Sequence, residues 1–139
     1  MSFAIPVRVY IEDTDAGGIV FYGNYLRFFE RARTDFLRSV GVEQSSTIET
    51  NSIFVVRHVS VDYKLPARLD DVLSVSCAVK NIRPTRVIFT QSATRLADGA
   101  NLVNGEVEVV AVSVDTLKPR ALPEKLFNAL QMTVESTDV

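Results

Sequence analysis

The residues best suited to chemistry lie near the amino terminus, in the run D-T-D-A-G-G from Asp13 to Gly18. A helical pattern begins shortly after this run, at about Tyr22. A helix N-terminus carries unpaired N–H donors and a partial positive charge, which can hold a carbonyl oxygen and stabilise the anion formed on attack. An adjacent carboxylate can act as a nucleophile or as the base for a water, and glycines let an acyl group approach the backbone. The run therefore predicts acyl transfer or hydrolysis, although the same residues also build ordinary turns and N-caps.

A second group of candidate residues lies between two predicted strands, in the run K-N-I-R-P-T-R from Lys80 to Arg86. Arginine makes bidentate, permanently charged contacts to phosphates, and a threonine hydroxyl can donate a further hydrogen bond. Arg83, Arg86 and Thr85 are therefore candidate phosphate ligands. A solvated hairpin with ordinary surface charge is the alternative interpretation.

Other reactive side chains are few, because the chain has one histidine, His58, and one cysteine, Cys77. A single cysteine excludes an intramolecular disulfide, and there is no cysteine–histidine cluster for a structural metal. Cys77 alternates with valines and is predicted to be a buried core thiol, and His58 is predicted to be structural. Arg33 faces the apolar side of the predicted helix and needs a partner there, which we expect to be a carboxylate of a neighbouring strand or subunit. Glu30 borders the same face and is either a supporting site residue or surface charge.

The elements that position these residues follow from periodicity. A weakly alternating first strand covers Val7 to Glu12, and an aromatic, buried helix runs from Tyr22 to Val40 and ends at Gly41. After a polar stretch from Glu43 to Ser52, four runs rich in valine and isoleucine predict strands: Ile53–Tyr63, Val72–Ile82, Arg86–Leu96 and Leu102–Val114. The connections between them are too short for parallel crossovers, so the strands are expected to be antiparallel.

The carboxyl terminus is predicted to contain a short helix from Pro123 to Leu130, followed by a polar tail at about residues 131–139. Residues 1–139 thus form a single α+β domain, with an antiparallel sheet of about five strands around one long central helix. One helix leaves much of one sheet face uncovered, and the outward positions are apolar. Homo-oligomerisation is therefore expected.

Charge and composition narrow the partners. Fifteen Lys and Arg stand against seventeen Asp and Glu, for a net charge of −2, which argues against nucleic acid as the main ligand. The sequence has neither a signal-peptide pattern nor a run of 18 apolar residues, so the predictions are a cytoplasmic location and no membrane span.

The segment Y-I-E-D-T-D-A-G-G-I-V-F-Y-G-N-Y-L-R-F-F-E-R-A-R, from Tyr10 to Arg33, resembles the signature of hotdog-fold acyl-CoA thioesterases. The nearest types are the 4-hydroxybenzoyl-CoA thioesterases and the relatives associated with the Tol-Pal system. The later run V-D-Y-K-L-P-A-R-L-D-D-V-L, from Val61 to Leu73, matches a second block of that family. The resemblance extends to about Leu130. It implies a sheet wrapped around a long helix, dimers joined into a continuous sheet, a homotetramer in many members, and active sites at the subunit interface.

For this chain the resemblance implies hydrolysis of acyl-CoA to a free acid and CoA, with no metal and no cofactor apart from the CoA of the substrate. The second aspartate of the D-x-D pair, Asp15, takes the place of the catalytic carboxylate. The backbone N–H of Tyr22 takes the place of the amide that polarises the carbonyl. Gly18 allows close approach of the acyl group, and Arg83, Thr85 and Arg86 contact the CoA nucleotide.

Two other functions fit the same fold. One is a non-catalytic acyl-thioester-binding or assembly protein, which would have little use for a carboxylate beside the carbonyl. The other is a hotdog dehydratase, which relies on a histidine at the helix entry. Because no histidine lies between Asp13 and Arg33, the dehydratase is disfavoured.

Overall fold

A computed structural model describes residues 3–41 and 51–137, with side chains as far as residue 134. The elements in chain order are β1 (Phe3–Arg8), a 3₁₀ turn (Ile11–Asp13), α1 (Asn24–Ser39), β2 (Ser52–Tyr63), β3 (Val72–Ile82), β4 (Arg86–Arg95), β5 (Asn101–Ser113) and α2 (Glu124–Thr137). The predicted α+β class and the antiparallel sheet of five strands are confirmed. The first strand was expected from Val7 to Glu12, but it lies at Phe3–Arg8, and Ile11–Asp13 is a 3₁₀ turn. Most of the polar stretch predicted to follow α1 lies outside the described residues.

The five strands form one sheet in the order β1-β3-β4-β5-β2, and α1 packs against β1, β3 and β4. Alternate residues of β3 are buried, as period-two patterning requires, and Cys77 is one of them, as predicted. The helix contributes Phe28, Phe29 and Ala32, all fully buried. A Cβ at Gly105 of β5 would lie 2.9 Å from Phe29 Cε2, so the close approach of α1 to the sheet requires a glycine at this position.

The carboxyl-terminal helix is longer than the sequence pattern predicts. The expected polar tail at residues 131–139 is helical as far as Thr137, and residues 138 and 139 lie outside the described part. Leu126 and Leu130 are buried and Val134 packs against the same core, at spacings of four residues. This apolar stripe extends the helix beyond Leu130, because each turn gains contacts with the core. Neither described helix is long and apolar enough to cross a membrane.

Strand β2 forms one edge of the sheet and is exposed along most of its length. Val55, Val56 and Val59 keep 38 %, 49 % and 36 % of their surface exposed. His58 is exposed on the same strand, where a register shift lies between it and Val56. The unpaired backbone groups of such an exposed, apolar edge strand are available for pairing with another strand.

Candidate active site

Asp15 lies on a small hairpin that leads into α1. The N–H of Asp15 donates to the carbonyl of Ile19 at 3.0 Å, and the N–H of Phe21 donates to the carbonyl of Asp13 at 3.0 Å. Between these two bonds, Thr14 and Val20 form an antiparallel bridge. The turn closes through Gly18, whose φ of +76° is a conformation that glycine adopts without strain. The hairpin therefore fixes the backbone of Asp15 through main-chain contacts.

The Asp15 carboxylate is exposed and only partly engaged. Its Oδ1 accepts a hydrogen bond from the N–H of Gly17 at 2.8 Å. Within residues 3–41 and 51–134, no side chain or N–H occupies Oδ2. The first contact holds the side-chain orientation, while the second oxygen is available to a ligand or a water.

The side chain of the neighbouring Asp13 is used in internal contacts. It is buried, its Oδ2 accepts from the N–H of Tyr10 at 2.9 Å, and its Oδ1 accepts from Asn24 Nδ2 at 2.6 Å. Both oxygens are thus used to connect the end of the first strand region to the start of α1. The two aspartates of the D-x-D pair differ in role because one carboxylate is internally satisfied and the other is not.

Helix α1 begins at Asn24, with Gly23 at the N-cap, so Tyr22 precedes the helix instead of opening it. The carbonyl of Phe21 accepts a hydrogen bond from the N–H of Asn24 at 2.8 Å. Because the C=O and N–H of a trans peptide point in opposite directions, this bond turns the N–H of Tyr22 away from the helix. Among the described residues, the N–H groups of Tyr22 and Gly23 have no acceptor. Two consecutive donors therefore stand free on the segment that follows Asp15.

The loop between β2 and β3 supports this hairpin, and it contains most of the second family-like sequence block. The N–H of Val20 donates to the carbonyl of Ala67 at 2.9 Å, and the N–H of Leu69 donates to the carbonyl of Gly18 at 3.2 Å. In turn, the N–H of Ala67 donates to the hydroxyl of Tyr25 at 3.0 Å. The loop is thus bonded both to the Asp15 hairpin and to α1.

Arg95 on β4 anchors that loop, a role that the sequence did not reveal. Its guanidinium donates to Asp71 Oδ2 at 3.0 Å, to the carbonyl of Pro66 at 3.0 Å and to Asp98 Oδ2 at 2.9 Å. The hydrogen bonds to Asp71 and Asp98 raise the pKa of Arg95 above its ordinary value. The one hint in the sequence is that Asp71 belongs to the second block, which by itself does not identify its partner.

The second predicted group lies on the hairpin between β3 and β4, which is closed by a bond from the N–H of Arg83 to the carbonyl of Arg86 at 2.8 Å. Arg83 is exposed and, within the described residues, forms no ion pair. Arg86 lies 3.8 Å from Glu108 Oε2, and Thr85 is half-buried. Arg83 is therefore the cation of this hairpin that is most available to a phosphate.

The structure does not bring the two predicted groups together within one chain. The Asp15 hairpin lies at the end of the sheet where β3 begins. Just before β3, the N–H of Asp70 donates to the carbonyl of Val9, and the N–H of Leu69 donates to the carbonyl of Gly18 in the hairpin. Arg83 follows the other end of β3, which is 11 residues long. At about 3.3 Å per residue, the length of β3 separates the two groups by roughly 30 Å.

Within the described part of the chain, Arg33 has a neutral partner in place of the carboxylate expected from a neighbouring strand. Arg33 Nη1 donates to Gln91 Oε1 at 3.0 Å, and the Gln91 amide donates to the carbonyl of Phe29 at 2.9 Å. Gln91 is buried, and burial lowers the pKa of Arg33. A neutral amide supplies an acceptor to this half-buried guanidinium without burying a second charge.

Comparison with known proteins identifies the family. The model of the thioesterase-like superfamily matches residues 9–130. The acyl-CoA thioester hydrolase YbgC of Escherichia coli O6:H1 is 45 % identical over 126 residues, which cover 89 % of this chain and 92 % of that protein. The acyl-CoA thioesterase YbgC of Haemophilus influenzae is 40 % identical over 126 residues, which cover 90 % of this chain and 91 % of that protein.

Solved structures agree with this assignment. The crystal structure of a probable thioesterase from Bartonella henselae has a TM-score of 0.77 and 32 % sequence identity, and the match covers 88 % of this chain and 98 % of that one. From the sequence, the order of the strands and these matches, we conclude that the chain is a hotdog-fold member of the thioesterase-like superfamily.

Proposed function

We propose that this protein hydrolyses acyl-CoA thioesters to a free carboxylic acid and CoA. The observation that carries the proposal is the pairing, on one short segment, of an exposed carboxylate with two free N–H donors. Asp15 supplies the carboxylate, and the backbone N–H of Tyr22 supplies the first donor. The activity named for the relatives from Escherichia coli and Haemophilus influenzae supports acyl-CoA as the substrate class.

In the proposed reaction the thioester carbonyl oxygen accepts a hydrogen bond from the N–H of Tyr22. The carbonyl carbon is then attacked either by Asp15 itself or by a water from which Asp15 takes a proton. Negative charge develops on the oxygen, where the free donor stabilises it, and the C–S bond breaks to release the CoA thiolate. In the first route water then hydrolyses the mixed anhydride, and both routes yield the acid and CoA. Neither route requires a metal or a further cofactor.

We assign to Gly18 the role of leaving the approach to Asp15 open. A Cβ built at Gly18 meets no atom within 4 Å, so no packing requirement explains a residue without a side chain there. Its positive φ and the open space beside it suit close approach of an acyl group to the backbone.

We also propose that the nucleotide of CoA is held by Arg83, Arg86 and Thr85 of a second subunit. The pantetheine arm, about four residue-lengths long, spans roughly 14 Å when extended, which is about half of the roughly 30 Å between the two groups in one chain. Antiparallel pairing of two β2 strands about a two-fold axis would place the Tyr63 end of one sheet beside the Ser52 end of the other. Asp15 of one subunit and Arg83 of its partner would then border one site.

The assembly we propose is a homodimer through β2, and a dimer of dimers gives the homotetramer that the family resemblance implies. The exposed valines of β2 support the first contact, because pairing would cover them. We place the protein in the cytoplasm. A single buried cysteine, which needs no oxidising compartment, is compatible with this location.

The test of the proposed function is Asp15→Asn, assayed by release of free thiol from acyl-CoA esters of different chain lengths. Asparagine keeps an oxygen for the Gly17 N–H, so the free energy of unfolding should change by less than about 0.5 kcal/mol. The rate should fall roughly 10²- to 10⁴-fold, or about 3–5 kcal/mol in activation free energy. Calorimetric titration with CoA should show unchanged binding.

Two results would contradict this assignment. Wild-type turnover in Asp15→Asn would remove the carboxylate from the mechanism. Tight binding of acyl-CoA by the wild-type protein without any release of thiol would instead favour the non-catalytic acyl-thioester-binding protein.

A further inference from the structure

Tyr63, the last residue of β2, forms a hydrogen bond to the segment that carries the free donors. Its hydroxyl donates to the carbonyl of Tyr22 at 3.1 Å. The ring of Tyr63 lies edge-on to the ring of Tyr22, with the two centroids 6.3 Å apart. Its centroid also lies 5.7 Å from that of the Tyr25 ring. Tyr25 is itself buried and bonded to Ala67, so one side of Tyr63 rests on a fixed surface.

The peptide that Tyr63 contacts is otherwise free. Phe21 is bonded through its N–H to Asp13 and through its carbonyl to Asn24, and regular helix begins only at Asn24. Between these points lies the peptide joining Tyr22 to Gly23. Over the described chain, its carbonyl accepts from Tyr63 alone and its N–H has no acceptor.

The two ends of this peptide are coupled. Because the peptide is planar and trans, a donor that holds the Tyr22 carbonyl also sets the direction of the Gly23 N–H. A hydrogen bond accepted by a carbonyl also polarises the amide, so that the N–H of the same peptide becomes a stronger donor. Orientation and polarisation thus both pass from the Tyr63 hydroxyl to the free N–H of Gly23.

We infer that Tyr63 is a positioning residue for thioester hydrolysis, which fixes the Tyr22–Gly23 peptide so that the Gly23 N–H joins that of Tyr22 in holding the oxyanion. The inference rests on the function proposed above, since it needs a carbonyl oxygen at these donors. Burial raises the pKa of the Tyr63 phenol, and the nearby Tyr22 raises it further. Tyr63 therefore remains protonated, and so remains a donor, throughout the neutral range.

The first test is Tyr63→Phe, which keeps the ring contacts and removes only the hydroxyl. Loss of a whole oxyanion donor slows catalysis about 10²- to 10³-fold, and a donor that is still present but loosely held should cost less. We therefore expect kcat to fall roughly tenfold, with KM and the affinity for CoA unchanged within about twofold. The matched control is Tyr10→Phe, which removes a hydroxyl from another exposed tyrosine and should keep wild-type kcat.

The second test separates this inference from the role of Asp15. In Asp15→Asn protein, the carbonyl stretch of a bound acyl-CoA labelled with ¹³C at the thioester carbon should lie at lower frequency than in water, because the donors polarise it. Adding Tyr63→Phe should reverse part of that shift. An unchanged stretch in the double variant, or wild-type kcat in Tyr63→Phe, would overturn the positioning role while leaving the proposed function intact.

A rise in KM at constant kcat would also overturn the positioning role, because Tyr63 would then stabilise the bound substrate and the transition state equally and not act through the peptide. Retained activity in Asp15→Asn, in contrast, would contradict the proposed function without contradicting polarisation of the thioester carbonyl by the two N–H donors. The two proposals therefore fail by different measurements.

Discussion

Subunit complementation tests whether each site combines residues of two chains. The two variants are Asp15→Asn, which lacks the proposed catalytic carboxylate, and the double variant Arg83→Ala/Arg86→Ala, which lacks the proposed phosphate ligands. The basis is the roughly 30 Å between Asp15 and Arg83 in one chain, against roughly 14 Å of pantetheine. If both groups contact one substrate, as proposed, two subunits are therefore expected to supply them.

The expected gain follows from counting sites. If two variant chains mix at random in equal amounts, about half of the dimers contain one chain of each kind. In such a mixed dimer, one site receives both defects, and the other receives Asp15 from one chain and both arginines from its partner. About a quarter of all sites are then intact, so the mixture should recover about a quarter of the wild-type kcat/KM.

The assay is release of free thiol at substrate concentrations well below KM, after the two variants are unfolded together and refolded. Asp15→Asn refolded with wild-type protein is the control and should give about half of the wild-type rate under either arrangement. If each site were built within one chain, every site of the mixture would carry one defect. A mixture no faster than the mean of its two parents would therefore refute the shared site.

Two further predictions concern the core. Gly105→Ala should lower the free energy of unfolding by about 1–3 kcal/mol, since its Cβ would meet Phe29 Cε2 at 2.9 Å and the Ser60 carbonyl at 3.2 Å, and an unchanged urea midpoint would contradict this packing. Burial raises the pKa of the Cys77 thiol to about 12, although Arg33 opposes the shift. A thiol reagent at pH 8 should therefore label the unfolded protein and leave the native protein unlabelled. Rapid labelling of the native protein would show that the thiol is accessible.

The sheet was largely predictable because its signals are local. The predicted strand Val72–Ile82 matches β3 at both ends, and the other three valine-rich runs match β2, β4 and β5 to within one residue at each end. The start of α1 was predicted two residues early. The aromatic spacing includes Tyr22, whereas a bond from Asn24 to the carbonyl of Phe21 sets the first turn.

Contacts between segments that are distant in the sequence could not be predicted from local patterns. Gln91 lies 58 residues from Arg33, and nothing local to either residue indicates that an amide satisfies the guanidinium. The same holds for Tyr63 and Tyr22, which are 41 residues apart. Sequence motifs indicated which segments matter to the candidate site, but the bonds that position its groups depend on how the sheet brings those segments together.

The proposed two-fold partner would account for three features of the single chain. Strand β2 exposes valines along an unpaired edge, the Asp15 carboxylate is open to solvent, and Arg83 lies at the far end of the sheet from it. Pairing of β2 with its copy would cover the valines and bring the second arginine hairpin toward the Asp15 end. Because the partner would also exclude water beside Asp15, it would strengthen the attraction between the developing oxyanion and the donors that Tyr63 orients. Dissociation should therefore lower kcat as well as weaken CoA binding, whereas a partner that supplied only nucleotide contacts would affect binding alone.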